Sequence, residues 1–383
     1  MKIAILTQPL WTNYGGILQA YALQTILKRM GHKVAVVNRD FYWDGGAKLS
    51  AKSLIVRIGS FIKTFIRIYV LRKEGYILMN PLSPYYHSKR SNIDPLPFVR
   101  KYINQSRDIR TSEKLHKYFK QQKFDAYIVG SDQVWRPCYS PCITDFFLKE
   151  VPIDSNAIRV SYAASFGTDV WEYSAEDTEE CSELLKSFDA ISVREASGIK
   201  LCKDYLGVDA IHVLDPTMLL EVEEYIRLIK RAKTQVSAGD VFCYVLDQNT
   251  DVEHIISAIE ADGYKTYYAG LDPTKHNLSV EQWLRSFYDA KFVVTDSFHA
   301  CVFSILFGKP FVVIKNKERG TTRLDSLLGM FHLNYCVVES YPEYVQRRKD
   351  LWESYDVKET RRILQIWREE SNKLFSLVDI IQN

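Results

Sequence analysis

Short apolar runs alternate with amphipathic stretches along most of this 383-residue chain. The runs at 2–6, 34–37 and 125–130 are mainly apolar, with several β-branched residues, and polar residues follow them. Runs of this length predict buried strands, and the amphipathic stretches between them predict helices. A repeated unit of strand, polar loop and helix is typical of parallel, doubly wound α/β sheets, which we therefore expect here.

The stretch at 292–314 predicts a strand, a short buried helix and a second strand. Its first apolar run is followed by Asp296 and Ser297, both helix N-cap residue types, and its apolar helical segment ends at Gly308. In an open parallel sheet, ligands bind at the carboxyl ends of strands, beside helix N-termini that attract anions. We therefore predict that His299 lies in an anion site; a core histidine with a satisfied hydrogen bond is the alternative.

The first predicted strand leads into a loop, residues 8–16, that ends in two glycines. A helix follows from residue 17, so the unit resembles the start of a nucleotide-binding fold. The loop lacks the G-x-G-x-x-G spacing, and a dinucleotide site is not predicted. Asn13, Gly15 and Gly16 are nevertheless candidate ligand contacts, and a simple turn before a helix is the alternative.

Polar residues collect at the predicted strand ends of both halves of the chain. The set combines cations for an anionic ligand, one histidine and several carboxylates. It contains no Ser-His-Asp order and no nucleophilic cysteine context, so it predicts group transfer from a phosphorylated or carboxylated donor without a protein-bound metal. The residues are Asn13, Asp132, Gln133, Arg194, Glu195, Asp296, Ser297, His299, Lys315, Arg319 and Arg323.

These elements divide into two halves, each with its own sheet. We predict an N-terminal Rossmann-like domain at 1–216, a connection at 217–240, and a second Rossmann-like domain at 241–356. The final helix, 357–383, is long enough to cross back to the first domain. Two sheets with facing carboxyl ends form a cleft, and clefts between domains are common ligand sites.

Composition narrows the class of protein. Hydrophobic residues make up 46% and charged residues 25%, as in soluble globular proteins. The net charge of +3 is too small to indicate a nucleic-acid partner. The seven scattered cysteines indicate reduced thiols and a cytoplasmic location. The closest pair, Cys138 and Cys142, lacks further ligands at zinc spacing, and no apolar run has the signal-peptide or membrane-spanning pattern.

The region at 44–110 interrupts the strand pattern and is rich in aromatic and basic residues. We interpret it as an insertion in the first domain. Within it, residues 52–69 form a basic amphipathic pattern at helical spacing. Such a helix can lie on an anionic membrane, which predicts peripheral contact with the inner membrane face. Packing on its own domain with a solvated basic face is the alternative.

Six segments follow one another in the order NYGGILQAYALQ, VGSDQVW, SYAASFG, ISVREASG, VLDPT and TDSFHACVFSILFGKPFV. Together they resemble the polysaccharide pyruvyl transferase family across residues 3–315. The resemblance implies a GT-B-like fold and a reaction without a bound cofactor. Phosphoenolpyruvate would be the donor, and a sugar diol of a surface polysaccharide or its lipid-linked precursor would receive a cyclic pyruvate ketal.

The resemblance also implies roles for individual residues. His299 resembles the general acid of the family, and Arg194 resembles its donor-binding arginine. We predict Asp132, from its position alone, as the base that orients an acceptor hydroxyl. The N-terminal domain is the expected acceptor side and the C-terminal domain the donor side. The remaining predicted acceptor contacts are Asn13, Gly15, Gly16, Gln133 and Trp135.

One position departs from the family pattern. Some relatives have an arginine two residues before the histidine, where this chain has Ser297. The missing charge would come from Lys315, Arg319 or Arg323, which we include with Ser297 among the donor-binding candidates. The alternative is that the donor is not phosphoenolpyruvate. A GT-B glycosyltransferase that uses a nucleotide sugar, and a non-catalytic glycan-binding relative, remain the alternatives.

Overall fold

The computed structural model describes residues 1–10, 13–39, 59, 62, 66, 95–140, 142–152, 155–247, 249–269, 278–315 and 322–380. Within these residues the chain forms two sheets, of six and five strands, and every strand pair in them is parallel. The predicted α/β class with two Rossmann-like domains is confirmed. The amphipathic pattern at 52–69 lies, apart from three isolated positions, outside the described residues.

The first sheet has the strand order β2-β1-β3-β4-β5-β6. Its central strands are buried almost throughout, which explains why they consist of continuous apolar runs. Its strands are β1 (Lys2–Leu6), β2 (Lys33–Val37), β3 (Ala126–Val129), β4 (Ile158–Ala164), β5 (Ala190–Val193) and β6 (Ile211–His212). Its helices are α1 (Tyr14–Arg29), α2 (Leu96–Tyr102), α3 (Ser112–Gln122), α4 (Ala175–Leu185) and α5 (Ala196–Leu206).

The second sheet has the order β11-β10-β9-β7-β8. Its strands are β7 (Val241–Tyr244), β8 (Thr266–Tyr268), β9 (Phe292–Thr295), β10 (Phe311–Ile314) and β11 (Val337–Val338). The helices after β6 are α6 (Pro216–Leu219), α7 (Val222–Ala232), α8 (Thr250–Ala261), α9 (Val280–Asp289), α10 (Phe298–Phe307), α11 (Thr322–Met330), α12 (Tyr341–Glu353) and α13 (Val357–Ile380).

Helix α1 begins three residues earlier than the sequence predicted. The side chain of Asn13 accepts a hydrogen bond from the Gly15 amide and caps the helix, so both glycines belong to its first turn. Tyr14 then stacks on Trp283 of α9, with ring centroids 5.0 Å apart, and its hydroxyl donates to the Leu278 carbonyl at 2.7 Å. The N-terminus of α1 is therefore packed against the second domain.

The predicted connection at 217–240 contains α6 and α7. Tyr225 of α7 is fully buried, and its ring packs edge-on against Phe303 of α10 at 5.0 Å. This segment therefore contributes to the apolar core that the two domains share.

Helix α13 contacts the first domain and the segment after β6. Arg368 donates to the carbonyls of Met218 and Leu220 at 2.7 and 2.6 Å. Phe375 stacks on Tyr162 of β4, with centroids 4.8 Å apart. None of the helices described, α13 included, combines the length and apolar character needed to cross a membrane.

Candidate functional site

Four ionisable side chains from both sheets meet at the carboxyl ends of their strands. Asp132 follows β3, Arg194 follows β5, Asp215 follows β6, and His299 is the second residue of α10 after β9. All four are nearly inaccessible, with 6, 3, 2 and 6% of their surface exposed, respectively. Buried charges in proteins are normally paired, so we expect each of these side chains to have a partner in the cluster.

Arg194 is the cationic centre of the cluster. Its two terminal nitrogens lie 2.9 Å from Asp215 Oδ2 and 3.3 Å from Asp132 Oδ1. Burial opposes its charge, but the two carboxylates outweigh burial and raise the pKa of Arg194. Its guanidinium also lies over the ring of Phe298, 4.5 Å from the centroid. Arg194 of the first domain thus contacts α10 of the second.

Asp215 is the most highly connected carboxylate of the cluster. Oδ2 accepts from Arg194 and from the Ser131 hydroxyl at 3.3 Å, while Oδ1 accepts from the Thr217 amide and hydroxyl at 3.0 and 2.7 Å. Burial would raise the pKa of Asp215. The neighbouring imidazole of His299 and the charge of Arg194 outweigh burial, so the pKa lies well below its usual value.

His299 reaches across the boundary between the domains. Its Nε2 lies 3.5 Å from Asp215 Oδ2, is buried, and has no aligned hydrogen-bond partner. Its Nδ1 faces Gly15 so closely that a Cβ atom built there would lie only 1.9 Å from it. The imidazole is therefore held between a glycine and a carboxylate of the first domain.

The loop after β3 fixes the position of Asp132. Ser131 accepts a hydrogen bond at its carbonyl from Thr7, and its amide donates to the Gln19 side chain at 3.1 Å. Asp132 itself adopts a left-handed backbone conformation, with φ of 74°. A Cβ built on Gly16 would lie 3.2 Å from its Oδ2. The predicted residues Gly15, Gly16 and Asp132 are therefore brought together beside His299, at the capped start of α1.

Arg323, in the first turn of α11, is the second arginine of the site. Its Nε is buried and has no hydrogen-bond partner among the described residues. Burial and then the nearby charge of Arg194 lower the pKa of Arg323 to about 10, against the opposing effect of Asp132. Two guanidinium groups from different domains thus lie near each other. Like charges repel, so this arrangement is favourable only when the two groups share an anion.

The other predicted donor contacts are placed differently. Ser297 stands at the N-cap position of α10, but its side chain makes no capping hydrogen bond; its amide donates to Thr295 Oγ1 at 3.0 Å. Lys315 follows β10, and its Nζ lies 3.8 Å from Glu339 Oε1. Arg319 lies outside the described residues. Asp296, one of the polar residues predicted at strand ends, accepts hydrogen bonds from the amides of Leu246 and Asp247 at 2.7 and 2.9 Å. It therefore stabilises the loop after β7.

One predicted acceptor contact does not fit that role in this structure. Trp135 is fully buried, stacked on Phe147 at 5.1 Å, and its indole nitrogen donates to the Phe146 carbonyl. Its ring has no surface free for a sugar, so its function is to fill the core. The side chain of Gln133 is partly exposed, with its Oε1 beside Gly167, and its acceptor role stays a prediction. Asn13 is exposed, and its Oδ1 caps α1 by accepting a hydrogen bond from the Gly15 amide.

Sequence analysis did not select Asp215 as a site residue and assigned no role to Glu195. Asp215 was visible only as the acidic residue of VLDPT, one of the segments that carried the family resemblance. Glu195 is fully buried beside Arg194, and its Oε1 accepts from the Phe166 and Gly167 amides at 2.7 and 3.0 Å. Among the described residues, no group of three or more histidine, cysteine, aspartate or glutamate side chains is placed to hold a metal ion.

The fold and the site define a two-domain α/β protein whose halves share one buried charged cluster. The family model for polysaccharide pyruvyl transferase matches residues 13–318, and the chain belongs to this family. The resemblance found in the sequence is thereby confirmed. Comparison with curated protein sequences gives no match.

Solved structures with the same fold are distant in sequence. The UDP-GlcNAc 2-epimerase from Neisseria meningitidis, bound to UDP-GlcNAc, is similar over 100% of both chains, with 11% identity and a TM-score of 0.51. The UDP-GlcNAc 2-epimerase from Methanocaldococcus jannaschii is similar over 96% of this chain and 99% of its own, again with 11% identity and a TM-score of 0.51. These likenesses show the fold alone, and they agree with the predicted GT-B-like arrangement.

Proposed function

We propose that this protein transfers the pyruvyl group of phosphoenolpyruvate to two hydroxyls of a sugar, forming a pyruvate ketal. The acceptor is a surface polysaccharide or its lipid-linked precursor, and the reaction takes place in the cytoplasm. Phosphoenolpyruvate serves as a substrate, and no further cofactor is required.

The observation that carries this proposal is the pair of arginines at the cluster. Arg194 and Arg323 approach from different domains, and each has a buried Nε without a partner. Buried donors are normally satisfied, so both nitrogens are available to oxygen atoms of an anionic ligand. Phosphoenolpyruvate carries a carboxylate and a phosphate, which two guanidinium groups can bind together. Arg323 thereby supplies the charge that Ser297 does not.

The remaining residues suit the chemistry of an enol ether. Protonation of the methylene carbon leaves a cationic centre at the neighbouring carbon, where the first sugar hydroxyl attacks. The bond between this carbon and the phosphate oxygen then breaks, and the second hydroxyl closes the ketal. One hydroxyl proton balances the new methyl group and the other leaves with phosphate. His299 supplies the acid, and Asp132, beside the start of α1, orients the attacking hydroxyl.

The test is phosphate release from phosphoenolpyruvate in the presence of a panel of sugar acceptors. Wild-type protein should release phosphate only with a competent acceptor. The His299→Ala and Arg194→Ala variants should lose about 100-fold or more of this rate, because an acid and a donor-binding charge are removed. The Arg323→Ala variant should mainly raise the KM for phosphoenolpyruvate.

Two outcomes would refute the proposal. If the first two variants release phosphate at nearly the wild-type rate, these residues do not form the site. If phosphoenolpyruvate has no effect on thermal unfolding while a nucleotide sugar raises the melting temperature, the protein is a glycosyltransferase. Arg348→Ala is a matched control, because Arg348 pairs with Asp262 on the second domain, remote from the cluster.

A further inference from the structure

We propose that Asp215 is the positioning residue for the acid: it holds Nε2 of His299 and so presents Nδ1 to the donor beside Gly15. This inference rests on the proposed pyruvyl transfer for its chemistry, but the pairing itself can be tested without turnover. It assigns a function to a carboxylate that the proposed reaction does not otherwise use.

The geometry of Asp215 suits such a role. Its Oδ1 is fixed by the amide and hydroxyl of Thr217, so the carboxylate cannot rotate freely. Its Oδ2 is thereby aimed at Arg194, at 2.9 Å, and at His299 Nε2, at 3.5 Å. One oxygen atom therefore sets the position of both the donor-binding arginine and the acid.

The contact to His299 has the length expected before a ligand arrives. At 3.5 Å it is longer than a normal hydrogen bond, and Nε2 has no other partner. Catalytic hydrogen bonds are often long in ligand-free proteins and shorten in the substrate complex. A buried N–H group without a partner is costly, so a small approach of the two residues is favourable.

The pair also links the acid to the contact between domains. Asp215 follows β6 of the first sheet, and His299 begins α10 of the second. The pair exists only while the second domain lies against the first. Separation of the domains would leave His299 without its carboxylate, so proton donation is confined to the closed arrangement that also brings both arginines to the donor.

The opposite nitrogen is then the atom that donates. Nδ1 lies against Gly15, where the absence of a side chain makes room for the imidazole ring itself. In the proposed step Nδ1–H gives its proton to the methylene carbon, and a neutral imidazole remains with its hydrogen on Nε2. Asp215 stays ionised throughout, and a hydroxyl proton restores the acid.

The charges near this pair come from three elements. Arg194 follows β5, Asp132 follows β3, and Arg323 lies in α11, so two cations and one further carboxylate surround it. On its other side Asp215 acts on the phenols of Tyr162 and Tyr225, which remain neutral because burial raises their pKa well above the usual value. Asp215 is the carboxylate within reach of Nε2 among the described residues.

The first test uses the wild-type protein and needs no activity. Nitrogen-15 NMR of the histidine rings, with His299 assigned through a His299→Gln variant, reports which nitrogen carries the hydrogen. The pair predicts that neutral His299 carries it on Nε2. A neutral His299 with its hydrogen on Nδ1 would overturn the proposal, whether or not phosphoenolpyruvate is turned over.

The second test compares Asp215→Asn with Asp145→Asn. Asp145 forms an equally buried pair with Arg39, at 2.7 Å, away from the cluster. Asp215→Asn should lower kcat about 100-fold, because a misplaced acid is inefficient. It should also move the alkaline limb of the pH–rate profile to lower pH by about one unit, since the charge that favours protonated imidazole is gone. Asp145→Asn should change stability without shifting this limb.

The outcomes separate the two proposals. Absence of phosphate release by wild-type protein would refute pyruvyl transfer, while the NMR result would still decide the pairing. A normal rate in wild type with the same alkaline limb in both variants would refute the role of Asp215. If Asp215→Asn does not fold, the wild-type tautomer alone decides.

Discussion

Replacing Gly15 with alanine is the sharpest steric test of the site. The added methyl carbon would lie 1.9 Å from His299 Nδ1 and 2.0 Å from its Cγ. Real Cβ atoms do not approach other atoms within 3.0 Å. The imidazole, or the domain that carries it, must therefore move by about 1 Å, and a displacement of that size can reduce a rate about 100-fold.

The same substitution should not weaken the first domain by itself. Gly15 lies in the first turn of α1, and alanine is favoured over glycine in helices by about 1 kcal/mol. The steric clash therefore affects the contact between the domains and the position of His299, the proposed acid. We expect Gly15→Ala to reduce kcat about 100-fold, while the first domain keeps its stability.

The assay is the steady-state rate of phosphate release, with unfolding followed by circular dichroism. Gly329→Ala is the matched control: Gly329 lies in α11, and an added Cβ would meet nothing within 4 Å. Gly16→Ala is an intermediate case, because its methyl group would lie 3.2 Å from Asp132 Oδ2 and needs only a small adjustment. A rate for Gly15→Ala equal to that of Gly329→Ala would refute the placement of His299 against α1.

Two further predictions concern stability. Trp135→Ala should lower the free energy of unfolding by about 3–5 kcal/mol in urea, because it empties a fully buried core position; a loss below about 1 kcal/mol would contradict the structural role of this ring. The pKa of Asp215 is lowered in the folded protein. Its ionised form therefore contributes to the free energy of unfolding above about pH 4, and this contribution should be lost as the pH falls further. Urea unfolding between about pH 5 and 3 should therefore show a weaker loss of stability in Asp215→Asn than in wild type, and equal losses would contradict this.

The segment at 292–314 shows how far local pattern reaches. Its two strands and buried helix were predicted because apolar residues, N-cap residue types and a terminal glycine all agree there. Gly308 indeed ends α10 in a left-handed conformation, with φ of 64°. The same pattern located His299, because a strand end beside a helix N-terminus is a local feature.

Features that depend on distant contacts were beyond such patterns. The two-residue strand β11 and the mainly polar helix α12 were not predicted, because strand pairing with β10 and packing on α8 define them. Trp135 lies among polar residues that suggested a binding surface, yet packing against Phe147 buries it. Asp215 acquires its role from Arg194 and His299, which follow other strands, so only its motif marked it.

The mass of an acceptor glycan after incubation with this protein and phosphoenolpyruvate is the decisive measurement of pyruvyl transfer. If the protein forms a pyruvate ketal, the glycan gains the mass of one pyruvate less one water, with one phosphate released for each glycan modified. A glycan of unchanged mass under these conditions, together with a gain of one sugar from a nucleotide sugar, would contradict it.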